Sequence, residues 1–157
     1  MAKGTPATLA LDKAGAVFTL HEYAYDPAAD RVGLQAAEAL GADPGEVFKT
    51  LMVLVDGKPA CAILASDREA ALKKVAAVLG GKSAQMMKPA DAERLTGYKV
   101  GGISPFAQKR AVPTVLDAGA MGLAAIYLNG GRRGLQVRLA PDDAARLLGA
   151  KVAEIAA

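Results

Sequence analysis

Tryptophan is absent from this 157-residue chain, aromatic residues make up 4%, and cysteine and histidine occur once each, at Cys61 and His21. One cysteine excludes an internal disulfide, and one cysteine with one histidine is too few soft ligands for a Cys/His metal site. A hard-cation site built from carboxylates alone stays open. So few aromatics leave little for stacking on nucleobases, and no signature of the common RNA-binding modules is present. No run nears the ~18 consecutive apolar residues of a membrane span. The first residues, MAKGTPATLALDKAG, carry charges where a signal peptide needs a continuous apolar segment. The expectation is a cytoplasmic protein without a membrane anchor.

What the chain does contain is apolar surface, with 52% hydrophobic against 22% charged residues. That balance excludes disorder and suits one domain, residues 1–157, with a real core. The net charge is only +3. Its distribution says more, because Lys73, Lys74, Lys82, Lys88, Lys109, Arg110, Arg132 and Arg133 crowd the chain from residue 73 onward. They form either a solvated face or a surface for a polyanion such as RNA.

Elements alternate without an obvious linker. Thr5, Pro6 and Gly15 have the order of a helix N-cap, first turn and stop. Val17–Tyr23 reads as a strand and GLQAAEALG as a short helix ended by Gly41. A strand carrying Lys49 and a second over Pro59–Ser66 flank an Asp-Gly pair, the chemistry of a tight hairpin. Leu72, Val75, Ala76 and Leu79 recur at helical spacing. A helix follows over Pro89–Leu95. VPTVLDAGA, AAIYLNGG and RGLQVRLA read as three strands, and PDDAARLLGA as a closing helix that opens on two acids. Five to seven strands with irregularly placed helices predict an α+β domain around a mixed or curled sheet.

Two features suggest chemistry. In GEVFKTLMVLVDG, Lys49 stands against an apolar run that looks buried on both faces. Its ammonium either snorkels to water or lines a cleft, where it suits an anionic or polarised carbonyl group. The loops TGYKVGGISP and LNGGRRG each carry a Gly-Gly pair. They are either tight turns or places where backbone N–H groups approach a ligand and hold a developing oxyanion. Neither fits a phosphate-binding fingerprint. A nucleophile is hard to assemble, since Cys61 sits inside a strand and a serine triad would rest on His21 alone.

TPA near the start, HEYAYDP, VFKTLMV, TGYKVGGISP, PTVLD and IYLNGGRRG occur in order along nearly the whole chain. Together they resemble the YbaK family of aminoacyl-tRNA deacylases, relatives of the editing domain of bacterial prolyl-tRNA synthetases. The resemblance implies a curled, barrel-like mixed sheet with surrounding helices and a pocket for the aminoacyl end of a mischarged tRNA, cysteinyl-tRNA(Pro) first. It places the family's essential lysine on Lys49 and its pocket glycine on Gly101, as the catalytic positions. Tyr23, Thr50, Gly102, Ile103, Ser104, Asn129 and Gly130 become substrate-binding positions, and Arg132 and Arg133 candidates for the tRNA backbone. No cofactor or metal is implied.

In the family the sulfur of the bound cysteine attacks its own ester carbonyl, which fits the missing nucleophile. Expected partners are mischarged tRNA and prolyl-tRNA synthetase, with no DNA and no membrane, for a monomer or weak homodimer. The chain departs from the family pattern at Asn129, commonly serine, and at Tyr25, often histidine. Alternatives are water-dependent clearance of another mischarged tRNA, such as alanyl-tRNA(Pro), and a non-enzymatic tRNA- or protein-binding module.

Overall fold

The computed structural model describes residues 4–28 and 32–157. Helix α1 (Pro6–Lys13) starts where the sequence places it: Thr5 accepts a hydrogen bond from the Thr8 amide, and Thr8 Oγ1 accepts one from the Thr5 amide. This is a reciprocal cap with threonine in the place usually held by glutamate. Strand β1 (Phe18–Glu22) and helix α2 (Val32–Leu40) follow. Strands β2 (Phe48–Val55) and β3 (Lys58–Ala65) form the expected hairpin, and both central residues of its turn, Asp56 and Gly57, have positive φ. That is the backbone a two-residue turn needs to match strand twist. The Asp56 carboxylate also accepts from the amides of Lys82 and Ser83.

The chain continues through α3 (Leu72–Val78), β4 (Ala84–Met86), α4 (Pro89–Thr96) and β5 (Thr114–Asp117). After a 3₁₀ turn over Ala118–Gly122 come β6 (Ile126–Asn129), β7 (Leu135–Leu139), α5 (Pro141–Leu148) and β8 (Lys151–Ala153). The eight strands among the described residues exceed the five to seven read from the sequence. The additional pieces, β4 and β8, have three residues each, too short for alternation to register.

The architecture is α+β, and the strands are mixed as expected, but they do not close into a barrel. They form a three-stranded antiparallel sheet, β1-β7-β6, and a five-stranded sheet, β4-β2-β3-β5-β8, in which β5 runs parallel to both β3 and β8. A single parallel bridge from Val47 to Tyr127 joins the two. Phe48 and Met52 on one face of β2 share a core with Leu128 and Val137 of the smaller sheet. Val53 and Val55 on the other face pack with Val75 of α3. Burial on both faces explains the unbroken apolar run after Lys49. Among the described residues no helix is long and apolar enough to cross a membrane.

With Leu128 and Val137 turned to the core, strand alternation puts Asn129 and Gln136 on the opposite face of the small sheet. They are direct cross-strand partners, and His21 pairs with Gln136 from the other side. Helix α2 covers part of this face, as Ala36 and Ala37 pack with Val47, Tyr23 and Tyr127. The space left beside that cover is a cavity that reaches the Gly101 loop.

Candidate active site

A cavity of about 360 Å³ opens where the head of β2, the end of β6, the middle of β7 and the loop around Gly101 converge. Lys49, Thr50, Gly101, Ile103 and Asn129 line it, so five of the positions singled out in the sequence come together. Its size lies within the range of small-molecule pockets. Lys49 is partly exposed at the strand head and is engaged by the protein around it. Thr50 Oγ1 is buried without a hydrogen-bond partner among the described residues.

Asn129 ties the two Gly-Gly loops together. Its Nδ2 donates to the Gly101 carbonyl at 3.2 Å, and its Oδ1 accepts from the Gly131 amide at 2.7 Å. An exchange of the two amide ends would face donor to donor and acceptor to acceptor, so the network fixes the orientation. The other departure from the family pattern meets the same glycine. A Cβ on Gly101, where φ is +89°, would lie 2.6 Å from the Tyr25 hydroxyl. Arg133 then fastens the loop from outside: its Nε donates to the Val100 carbonyl at 2.8 Å and its guanidinium lies 5.4 Å from the centre of the Tyr25 ring.

The glycine amides are not equally available. Those of Gly102, Gly130 and Gly131 donate to Lys99 O, Leu135 O and Asn129 Oδ1 respectively. Of the four, only the Gly101 amide has no such bond among the described residues. Gly102 serves close packing, since a Cβ there would lie 2.8 Å from the Arg132–Arg133 peptide. Gly130 packs on Leu135, and its carbonyl accepts from Thr5 Oγ1. Ser104 is fully buried and its hydroxyl accepts from the Phe106 amide, so it shapes the loop behind Ile103. Neither Gly102, Gly130 nor Ser104 lines the cavity. Arg132 pairs with Glu22 at 3.3 Å on the exposed rim.

Sequence reasoning missed Glu69 and Gln136 on the cavity wall. Glu69 lies in a loop with no local signal, and it already has a partner. Gln136 is a polar residue at an alternating position of a strand, a pattern that ordinarily means solvent. Here it is 4% exposed. Tyr23 stands beside it. Burial pushes the Tyr23 phenol above its usual range, and the Gln136 carboxamide partly opposes that rise. The two side chains are near each other but outside hydrogen-bond geometry, which leaves Tyr23 Oη and Gln136 Oε1 unpartnered among the described residues.

Nucleophile chemistry is poorly provided for. Cys61 is buried in β3, and desolvation pushes its thiol up to about 12. His21 Nε2 is 2.7 Å from Thr19 Oγ1, and burial, with Arg138 nearby, lowers its pKa. Ser66 does line the cavity, but its hydroxyl donates to the Pro44 carbonyl at 2.9 Å. Among the described residues no cluster of three His, Cys, Asp or Glu side chains could hold a metal ion.

Known proteins resemble this chain in sequence and in fold. A protein of Enterococcus faecalis, EbsC, named as a candidate Cys-tRNA(Pro)/Cys-tRNA(Cys) deacylase, is 38% identical over 137 residues, covering 85% of this chain and 83% of that protein. A proline–tRNA ligase of Acidithiobacillus ferrooxidans is 33% identical over 94 residues, 60% of this chain and 16% of the ligase. A crystal structure described as a candidate trans-editing enzyme for prolyl-tRNA synthetase superposes with a TM-score of 0.84 at 25% identity, covering 97% of this chain and 95% of that one. The family model for the aminoacyl-tRNA editing domain matches residues 26–147, a span that holds Lys49, the Gly101 loop, Asn129 and Gln136. With the cavity assembled from residues inside that span, the chain belongs to the aminoacyl-tRNA editing domain family.

Proposed function

We propose that the protein is a trans-editing deacylase that clears cysteinyl-tRNA(Pro) through attack by the substrate's own thiol. The observation that carries this reading is the cavity itself: it has a lysine on one wall and a glycine loop on another, and no nucleophile paired with a base among the described residues that line it. A reaction that needs no protein nucleophile suits such a site. The cysteine sulfur forms a bond to the ester carbonyl carbon, the bond from that carbon to the tRNA ribose oxygen breaks, and the thiol proton ends on the departing ribose hydroxyl. The amino acid leaves as a cyclic thioester.

The protein's contribution is position and charge. A free thiol is already a few per cent thiolate at neutral pH and strongly nucleophilic, so holding the substrate curled lowers much of the barrier. Lys49 neutralises charge at the acceptor end, and the Gly101 amide stabilises the oxyanion. Names carried by similar proteins support the substrate class: EbsC is named for Cys-tRNA(Pro) and Cys-tRNA(Cys).

The test is purified protein against cysteinyl-, seryl- and alanyl-tRNA(Pro). Cysteine and serine differ by one atom, so a gap in their rates reports chemistry, not shape. Cysteinyl ester should be cleared far faster, S-methylation of the cysteine should stop the reaction, and the first product should be the cyclic thioester. Equal rates for serine and cysteine, or ¹⁸O from water entering the carboxyl group in the first step, would establish water attack instead. Failure to release any amino acid from the panel would leave the fold serving as a binding module.

A further inference from the structure

We infer that Gln136, with Tyr23 behind it, forms the subsite that receives the α-ammonium group of the aminoacyl ester. This rests on the deacylase reading of the same cavity and adds a recognition element to it. Gln136 lines the cavity, is 4% exposed, and has a carboxamide oxygen with no hydrogen-bond partner among the described residues. Tyr23 Oη beside it is in the same condition. An orphaned acceptor on a residue of the cavity wall, with an orphaned hydroxyl behind that wall, is costly unless something completes it.

The chemistry of the orphans selects the ligand group. Gln136 Oε1 can only accept, and Tyr23 Oη can accept as well as donate. A group that completes the Gln136 oxygen must therefore be a donor, and one with several donors can serve Tyr23 Oη as well. An α-amino group has a pKa near ~8 in peptides and is largely an ammonium at neutral pH, with three donors and no acceptor. A thiol is a weak single donor, and in the proposed reaction it is directed at the carbonyl carbon. The ester carbonyl is an acceptor and suits the Gly101 amide instead. Position agrees: Asn129, the cross-strand partner of Gln136, holds the Gly101 carbonyl, so the subsite is one residue across the sheet from the glycine loop. The nearby carboxylate, Glu69, already has a partner. A neutral carboxamide binds the amine without trapping it, which suits an enzyme that must release its product.

The experiment uses a stable mimic of the acceptor end, 3′-deoxy-3′-(cysteinylamino)adenosine, and its N-acetyl form with the thiol left free. Binding of each to the intact protein is measured by calorimetry. For wild type, N-acetylation should weaken binding about tenfold or more, as for loss of a charge-assisted hydrogen bond. Gln136→Met, of similar shape but without acceptor or donor, should bind both mimics alike and show a normal melting curve. Gln136→Glu should keep or widen the preference for the free amine, and it serves as the deciding variant if the methionine substitution unfolds the protein. Equal binding of the two mimics to wild type, or an unchanged preference in Gln136→Met, would overturn the subsite and assign the orphans to a buried water. Failure of the free-amine mimic to bind wild type would do so as well. Because the mimic cannot be cleaved, its binding is judged separately from turnover. A wild-type protein that prefers the free amine but releases nothing from mischarged tRNA would refute the deacylase reading alone.

Discussion

Lys49→Ala should lower the deacylation rate by about a hundredfold or more, the scale seen when one charge-stabilising group is removed from an active site. The fold should survive, because the side chain stands at the strand head beside an open cavity, where water can replace it. Stopped-flow release of labelled amino acid beside a thermal melt checks both halves, and near-wild-type rates with a normal melt would remove Lys49 from the chemistry. This residue was legible in the sequence because a lysine heading a doubly buried strand breaks the local pattern. Gln136 was not, because its neighbours Leu135 and Val137 make it look like the solvent-facing member of an alternating strand. What places it inside is the non-local pairing with His21 and Asn129, which is not written in the residues around it.

At the scale of elements, the loop around Gly101 is a pre-set piece of backbone. Its position depends on Asn129 from β6, Arg133 from the turn before β7, and Tyr25 from the segment after β1. Gly101→Ala introduces two separable faults, a side chain at φ +89° and a contact of 2.6 Å with the Tyr25 hydroxyl. The backbone fault alone should cost about 1–2 kcal/mol. Activity should fall more than stability, since the loop lines the cavity. Removing the oxygen with Tyr25→Phe in the Gly101→Ala background should restore part of the lost rate, while the strain of positive φ remains. A double variant no better than Gly101→Ala alone would show that the tyrosine does not confine the loop. The glycine pairs were readable as special backbone, but whether they were turns or a site was not. The answer is mixed, since the amides of Gly102, Gly130 and Gly131 serve the turns and Gly101 stays at the cavity. Element boundaries with strong local chemistry, such as the Thr5 cap and the Asp56-Gly57 turn, matched, whereas β4 and β8 exist only because longer strands offer them an edge.

For the whole molecule, the open question is how a protein with a net charge of only +3 holds a tRNA. Arg132 and Arg133 sit near the Gly101 loop, which makes them the natural place for an acceptor-end phosphate, yet each also has an internal role. Arg132 meets Glu22 on the exposed rim, a pair worth little to stability in water. Arg133 supports the Val100 carbonyl and stacks over Tyr25, so its loss disturbs the loop as well as the surface. Salt separates the two roles. If both contact phosphates, replacing both by glutamine should flatten the plot of log affinity against log salt by roughly 1.4–1.8, corresponding to two released counterions. If only Arg132 does so, Arg132→Gln alone should give about half that change, and adding Arg133→Gln should lower kcat without altering the slope further. An unchanged slope in the double variant, measured with uncleavable aminoacyl-tRNA between low and physiological salt, would move the tRNA to another face. Of the chain's other basic residues, Lys73, Lys74, Lys82 and Lys88 come from the chain between β3 and α4, and Lys109 and Arg110 from the chain between α4 and β5. Of these, Lys74 is already drawn to Glu154 and the Ala156 carbonyl. A tRNA held there would still show a steep salt dependence, but that dependence would respond to Lys73 and Lys82 and not to the arginines at the rim.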